Sequence, residues 1–222
     1  MTQPSTSTGR LVEEFHIAPT RLLMLDYDGV LSPLKNDTSP EASCPDDLLK
    51  QQLANLATQD ETHIYIVSGR KKDDLDSWFN DTPSIGLSAE HGAWRKENGN
   101  WSATIQPFDK LKEQVVAALL PFVERVPGSH IEAKEFAVVW HFRAAQQPAV
   151  AEAAIPDIQR VLGDIVKGTD LAIHTSASTG KIIEVKHTAA NKGAVVRSLV
   201  AAHNTPHFIM AAGDDYTDED AF

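Results

Sequence analysis

Residues 21–34 read RLLMLDYDGVLSPL, and Leu22-Leu23-Met24-Leu25 runs without interruption into Asp26-Tyr27-Asp28-Gly29. Apolar residues in a continuous rather than alternating run mark a strand covered on both faces, as in a parallel sheet with helices above and below. The same unit recurs along the chain. Ile64-Tyr65-Ile66-Val67 leads into Ser68-Gly69-Arg70, and Phe208-Ile209-Met210 passes through two alanines into Gly213-Asp214-Asp215. A shorter run, Ile85-Gly86-Leu87, leads to Glu90-His91-Gly92. Between these strands the apolar spacing becomes helical. Leu48, Leu49, Leu53 and Leu56 mark a helix over 45–57, residues 73–79 a shorter one, and Val195, Val196, Leu199 and Val200 a third over 192–203. Strands alternating with helices are the α/β signature.

The middle of the chain has a different order. A helical stripe (Leu111, Val115, Ala118, Leu119, Phe122) over 108–124 precedes strands at 130–134 and 136–142. A second helix at 150–166, which Pro156 is expected to break or start, precedes strands at 171–174 and 181–185. Helix, strand, strand, helix, strand, strand reads as a small α+β module inserted over residues 107–186. The core then comprises 21–106 and 187–222, with 1–20 as a flexible, Ser/Thr-rich tail or linker. A module inserted in this way is expected to open and close, with hinges near 103–108 and 185–190. Trp94 and Trp101 flank Asn98-Gly99-Asn100 and read as a hairpin staple.

Composition excludes several classes. The net charge is −11 and no Lys/Arg cluster stands out, which argues against a nucleic-acid binder. No apolar run reaches the roughly 20 residues of a membrane span. The single cysteine, Cys44, forbids an intrachain disulfide and suits a reducing cytoplasm. Nothing near it would activate the thiol, so it reads as a bystander.

The chemistry lies in the polar clusters that end the strands. Open parallel sheets bind ligands outside the carboxyl ends of their strands. If the strands are neighbours, Asp26-Tyr27-Asp28-Gly29, Ser68-Gly69-Arg70 and Gly213-Asp214-Asp215 meet in one crevice. Acidic clusters from two such ends make a hard, oxygen-rich cation site of the kind Mg²⁺ prefers. Residues i and i+2 of an extended segment point the same way, so Asp26 can attack phosphorus while Asp28 handles a proton on the same side. A carboxylate becomes a competent nucleophile when a metal neutralises the phosphate. Gly29 permits a tight turn, and Lys192 at a helix N-terminus can supply positive charge. Read singly, each cluster is common in turns or on surfaces; their order, each after the right element, makes them a set. Asp218-Glu219-Asp220 reads as an acid-rich helix N-terminus. His91 and His141 read as packing residues, since none of the nine histidines has metal-ligand spacing.

Residues 25–31 (LDYDGVL), Val67-Ser68-Gly69-Arg70, Asn191-Lys192-Gly193 and Gly213-Asp214-Asp215 resemble the four motifs of the haloacid dehalogenase superfamily of phosphatases. RLLMLDYDGVLSPL, GLSAEHG at 86–92, VWHFR at 139–143, IEVK at 183–186 and GDDYTDEDAF at 213–222 narrow the resemblance to the trehalose-6-phosphate phosphatases, over residue 20 to the end. That resemblance implies a Rossmann-like, haloacid-dehalogenase-type core with an inserted α+β cap, and Mg²⁺-dependent hydrolysis of trehalose-6-phosphate through an aspartyl-phosphate. It implies Asp26 as nucleophile and metal ligand. Asp28 becomes the general acid, then the base, with its backbone carbonyl on the metal. Asp214 is a metal ligand, and Ser68 and Lys192 hold the phosphoryl oxygens. In the cap, Glu132, Lys134, Arg143 and Glu184 fall on positions used for the disaccharide or its phosphate; Arg70, Glu90 and Lys186 are further candidates. The implied partner is a small-molecule sugar phosphate, with a fused or associated trehalose-phosphate synthase suggested by the linker-like tail. Another sugar phosphate as substrate, or a non-catalytic sugar-phosphate-sensing domain, are the alternatives. Val30 departs from the Thr often found there, without loss of an expected ligand. The chain ends at Phe222, just after the last motif, where relatives continue with another strand and helix.

Overall fold

The computed structural model describes residues 8–35, 39–97, 99–177 and 180–222. Its first sheet has six strands in the order β10-β1-β2-β3-β4-β5. β1 (Arg21–Leu25) pairs in parallel with both β2 (Thr62–Val67) and β10 (Phe208–Ala212), and β3 (Ile85–Ala89) joins β2 in parallel. The antiparallel hairpin of β4 (Trp94–Glu97) and β5 (Asn100–Ala103) extends the sheet beyond β3.

The unbroken apolar run of β1 has a direct explanation. Leu23 and Leu25 pack on one side with Leu53 of α3 (Asp47–Ala57) and Leu75, Trp78 and Phe79 of α4 (Lys72–Phe79). Leu22 and Met24 pack on the other with Val195 and Leu199 of α7 (Lys192–Ala202). Alternate side chains therefore enter two different cores, and both faces demand apolar residues. The helices begin where a side chain satisfies a free amide: Ser39 accepts from Ala42 N–H at the start of the short α2 (Pro40–Ser43), Asp46 from Leu49 N–H, and Asn191 from Ala194 N–H. The Asn191 cap sets the position of Lys192, the first residue of α7.

The second sheet comes from residues 130–187 alone and is antiparallel, in the order β6-β7-β9-β8. It comprises β6 (His130–Ala133), β7 (Ala137–His141), β8 (Leu171–Ser176) and β9 (Ile182–His187). α5 (Asp109–Arg125) and α6 (Pro148–Val166) cover one face, burying Val138, Trp140, Ile183 and Val185 against Val115, Leu119, Ile158 and Leu162. The alternate residues Val139, His141, Ile182 and Glu184 line a cleft on the opposite face.

Three local expectations change. α6 continues through Pro156, and α5 through Pro121. The stripe Ala151, Ala154, Ile158 and Leu162 is buried on both sides of Pro156, and that burial offsets the lost backbone bond. The expected tail carries a helix, α1 (Thr8–Ile17), tied down by Phe15 packed edge-on against Phe208 at 5.5 Å and by Arg21 donating to Phe15 O and His16 O. Residues 1–7 of that tail lie outside the described residues. The hairpin tryptophans do not face each other: Lys96 is opposite Trp101, which donates to Asp76, while Trp94 packs on Phe136. Asn98 of that turn lies outside the described residues.

Candidate active site

The three polar clusters converge because β1, β2 and β10 are parallel neighbours and each cluster follows a strand's carboxyl end. Asp26 is buried beyond β1, its Oδ1 accepting from Tyr27 N–H at 2.7 Å and its Oδ2 lying 2.8 Å from Lys192 Nζ. Lys192 Nζ also donates to Asp218 Oδ1 at 2.6 Å, so the ammonium is clamped between two carboxylates with 4% of its side chain exposed. Burial pushes Asp26 up to about 7 against the pull of Lys192. Burial works against the Lys192 ammonium, but Asp26 and Asp218 outweigh it and hold its pKa above the ordinary value.

Asp218 is the residue that sequence reasoning missed. It does stand at an acid-rich helix start, capped by Asp215, but it is not solvated there. It is buried in a short 3₁₀ turn (Tyr216–Ala221), and its Oδ2 accepts from the backbone N–H groups of Asp214 and Asp215, each at 3.2 Å. One carboxylate thus holds the lysine and shapes the loop that presents Asp214. Its spacing after Asp214 matches any acidic turn; only the long-range partner Lys192 distinguishes it.

The site is chemically suited to a cation. Carboxylate oxygens of Asp26, Asp214 and Asp218 lie within 4.8 Å of one another. Asp26 and Asp218 each have donors on both oxygens, so a cation would share them with Lys192 and the backbone amides, whereas Asp214 is the exposed carboxylate of the three. Asp214 is pushed up by burial and by Asp215 and Asp218 beside it, so a positive charge there would be stabilised. A Cβ on Gly29, whose φ is +87°, would collide with the Asp214 carboxylate; the glycine keeps that space open. Few, hard oxygen donors suit Mg²⁺ or a similar cation. The Asp28 carboxylate lies outside this cluster. Arg70 grips it with Nε on Oδ2 and Nη2 on Oδ1, both at 2.8 Å, leaving its backbone carbonyl for any metal role. Arg70 Nη2 also donates to Ser43 Oγ, and Arg70 N–H to Ser68 Oγ.

Across a cleft of about 310 Å³ stand the residues of the second sheet. Glu132 lies 3.0 Å from both Lys71 Nζ and His141 Nε2. Burial would raise its carboxyl, but His141, Lys134 and Lys71 hold it far below the usual range. Lys134 Nζ donates to Gly69 O at 2.8 Å, and Arg143 donates to Lys35 O and Gly180 O, so both reach across or along the cleft wall. Glu184 is buried beside His91 at 3.5 Å and Lys186 at 3.4 Å, whose influence outweighs burial and holds it well below the carboxylate range. Asp26, Asp28, Ser68, Arg70, Glu132, Lys134, Arg143, Glu184, Lys192 and Asp214 all line this one cleft. Glu90 and Lys186 do not line it; they lie behind it. His91 and His141, read from sequence as packing residues, do line it.

The trehalose-phosphatase family model matches residues 24–222. The bifunctional trehalose-6-phosphate synthase/phosphatase of Thermoproteus tenax is 36% identical over 97% of this chain. The trehalose-phosphatase of Zygosaccharomyces rouxii is 34% identical over 99% of it. The chain spans 29% and 26% of those two proteins' own lengths. Among solved structures, the C-terminal domain of Candida albicans trehalose-6-phosphate phosphatase is 31% identical, with a TM-score of 0.87 over 100% of this chain and 78% of that one. Aspergillus fumigatus trehalose-6-phosphate phosphatase is 30% identical, with a TM-score of 0.67 over 99% of this chain and 82% of that one. A match over nearly the whole chain, on a fold that gathers these strand-end carboxylates around one lysine, shows that the chain belongs to the trehalose-phosphatase family.

Proposed function

We propose that this protein hydrolyses trehalose-6-phosphate to trehalose and phosphate, through an aspartyl-phosphate on Asp26 and with Mg²⁺ as cofactor. One observation carries the reading: the clamped Asp26–Lys192–Asp218 group faces the charged wall of Glu132, Lys134, Arg143 and Glu184 across a single cleft. The first group suits a phosphoryl centre, and the second suits a hydroxyl-rich leaving group.

Asp26 Oδ2 forms the new bond to phosphorus as the bond from phosphorus to the sugar oxygen breaks. Asp28 gives that oxygen its proton, exchanging one Arg70 contact for the leaving group. Asp28 then takes a proton from the water that attacks the phosphoryl-enzyme, which frees Asp26 and phosphate. Lys192 and Ser68 hold the phosphoryl oxygens. Asp26, Asp214 and the Asp28 carbonyl would hold Mg²⁺, which supplies charge neutralisation at the phosphoryl oxygens when bound. The module over residues 107–186 serves as a cap that orients the sugar and excludes water. Among the described residues no helix is long and apolar enough to cross a membrane. The setting we propose is cytoplasmic, with a trehalose-phosphate synthase, fused or associated, supplying the substrate.

The test is phosphate release from trehalose-6-phosphate, with and without EDTA, beside glucose-6-phosphate, sucrose-6-phosphate and p-nitrophenyl phosphate. Selective release that EDTA abolishes and Mg²⁺ restores is expected. Equal release from all four esters would overturn the substrate assignment, and release unaffected by EDTA would overturn the cofactor.

A further inference from the structure

Behind the cleft, the turn Glu90-His91-Gly92 joins β3 to β4 with three successive residues at positive φ: 47°, 56° and 104°. Glycine adopts such angles freely. A glutamate and a histidine in succession do not, and the surrounding structure must hold them there. The turn is fastened to the core by Glu90 N–H on Arg70 O and His91 N–H on Ser68 O, each at 2.9 Å. Its side chains reach the other way, into the second sheet's module.

The buried Glu90 carboxylate accepts from Phe136 N–H at 2.8 Å, in the turn between β6 and β7. Phe136 is itself a plug, 1% exposed, packed with Ala93, Trp94, Ala190 and Ile105. Ile105 and Ala190 lie on the two segments by which the chain enters and leaves the module. His91 approaches the Glu184 carboxylate of β9, and its ring fills the space where a Cβ on Gly69 would stand, 2.7 Å from Nε2. Burial and the nearby Lys186 bring the imidazole down to about 4, so it is neutral near pH 7. A neutral ring protonated on Nε2 would point that N–H toward the Glu184 carboxylate 3.5 Å away and leave Nδ1 bare, which agrees with Nδ1 having no partner among the described residues.

We infer that the Glu90–Gly92 turn is a positioning element for the reaction: Glu90 fixes the cap's pivot through Phe136, and His91 aims Glu184 at the sugar. Among the described residues, neither side chain hydrogen-bonds Asp26, Ser68 or Lys192. Both set where the sugar-facing wall stands relative to it. The link to sugar binding rests on the function proposed above, whereas the Glu90–Phe136 fastening stands on geometry alone.

The experiment uses the full chain with E90A, E90Q and H91N. For E90A, KM for trehalose-6-phosphate rises about 10-fold or more while turnover of p-nitrophenyl phosphate stays within about twofold, since the latter needs no sugar wall. E90Q keeps a carbonyl acceptor for Phe136 N–H and restores KM. H91N tolerates the positive φ but falls short of Glu184, and raises KM for the sugar ester. In the free proteins, amide exchange at Phe136 is faster by about 10-fold in E90A than in wild type, with β2 amides unchanged. If E90A does not fold, F136L, which shortens the plug, is expected to show the same split between the two substrates. An equal loss on both esters, or unchanged exchange at Phe136, overturns the inference. Wild-type protein without activity on trehalose-6-phosphate refutes the proposed substrate, and the exchange at Phe136 still decides the fastening.

Discussion

Replacing Asp218 by Asn changes one oxygen to an amide nitrogen and leaves the shape of the side chain intact. The consequences follow from what its two oxygens do. Oδ1 receives Lys192 Nζ at 2.6 Å and Oδ2 receives the N–H groups of Asp214 and Asp215 at 3.2 Å. An asparagine has one acceptor and one donor. With its oxygen toward the backbone amides, its NH₂ confronts an ammonium; flipped, it confronts two N–H donors. Either way a buried donor loses its partner: in the first orientation Lys192 keeps only Asp26, and in the second the Asp214 and Asp215 amides lose their acceptor. Removing one member of a buried pair costs about 3–5 kcal/mol, and the surviving Asp26 contact places this case near 3. A chain of this size loses roughly 2–4 °C of melting temperature per kcal/mol, so D218N should melt roughly 6–12 °C below wild type. Phosphate release should also fall by about 10–100-fold, since either Lys192 or the loop that presents Asp214 loses its anchor. Calorimetry and a phosphate assay on the same preparation read both. Melting within 2 °C, together with turnover within about twofold, would show that Asp218 is a solvated acid after all and refute the clamp.

Asp26→Asn removes the proposed nucleophile but preserves its shape; turnover should drop by at least about 1,000-fold, with circular dichroism unchanged, and near-wild-type turnover would exclude an aspartyl-phosphate. Gly29→Ala places a Cβ on the Asp214 carboxylate at φ +87°, so it should cost about 1–2 kcal/mol by urea titration and weaken activation by Mg²⁺. Unchanged Mg²⁺ dependence in that variant would mean that Asp214 is not a ligand. The His91 ring ionises at about 4 in the fold, below its ordinary 6.5. Between those values the unfolded chain binds a proton that the folded chain refuses, so stability declines as pH falls from 6.5 toward 4, by roughly 3 kcal/mol in all. Urea midpoints across that range should fall less steeply in H91N, and parallel profiles would remove His91 as the cause.

Much of this architecture could be read from the chain because each reading depended on local pattern. β1, β2 and β10 announced themselves as unbroken apolar runs, since Leu22 and Leu23 face different cores and neither can be polar. The clusters after those strands could be assigned to one crevice from the rule for parallel sheets. What escaped depended on distant partners. Asp218 has the local look of a surface acid, and only Lys192, 26 residues earlier, neutralises it. His91 resembles a packing residue until β9 brings Glu184 beside it. Pro156 reads as a break because propensity is local, whereas the burial that keeps α6 continuous through it comes from the second sheet. The α1 helix needed Phe208, from the far end of the chain, to give Phe15 a surface to pack on.

β9 leads into α7 by a short passage: the strand ends at His187, Asn191 caps the helix, and Lys192 opens it. One uninterrupted stretch of backbone therefore carries Glu184 at one end and Lys192 at the other. Both side chains line the same cleft. On the function proposed above, the stretch is a ruler, with one mark set for a hydroxyl and the other for a phosphate. A ligand that reaches only the phosphate mark would leave Glu184 without a hydroxyl to bind, so under that proposal a monosaccharide ester would be refused for its length rather than for its chemistry.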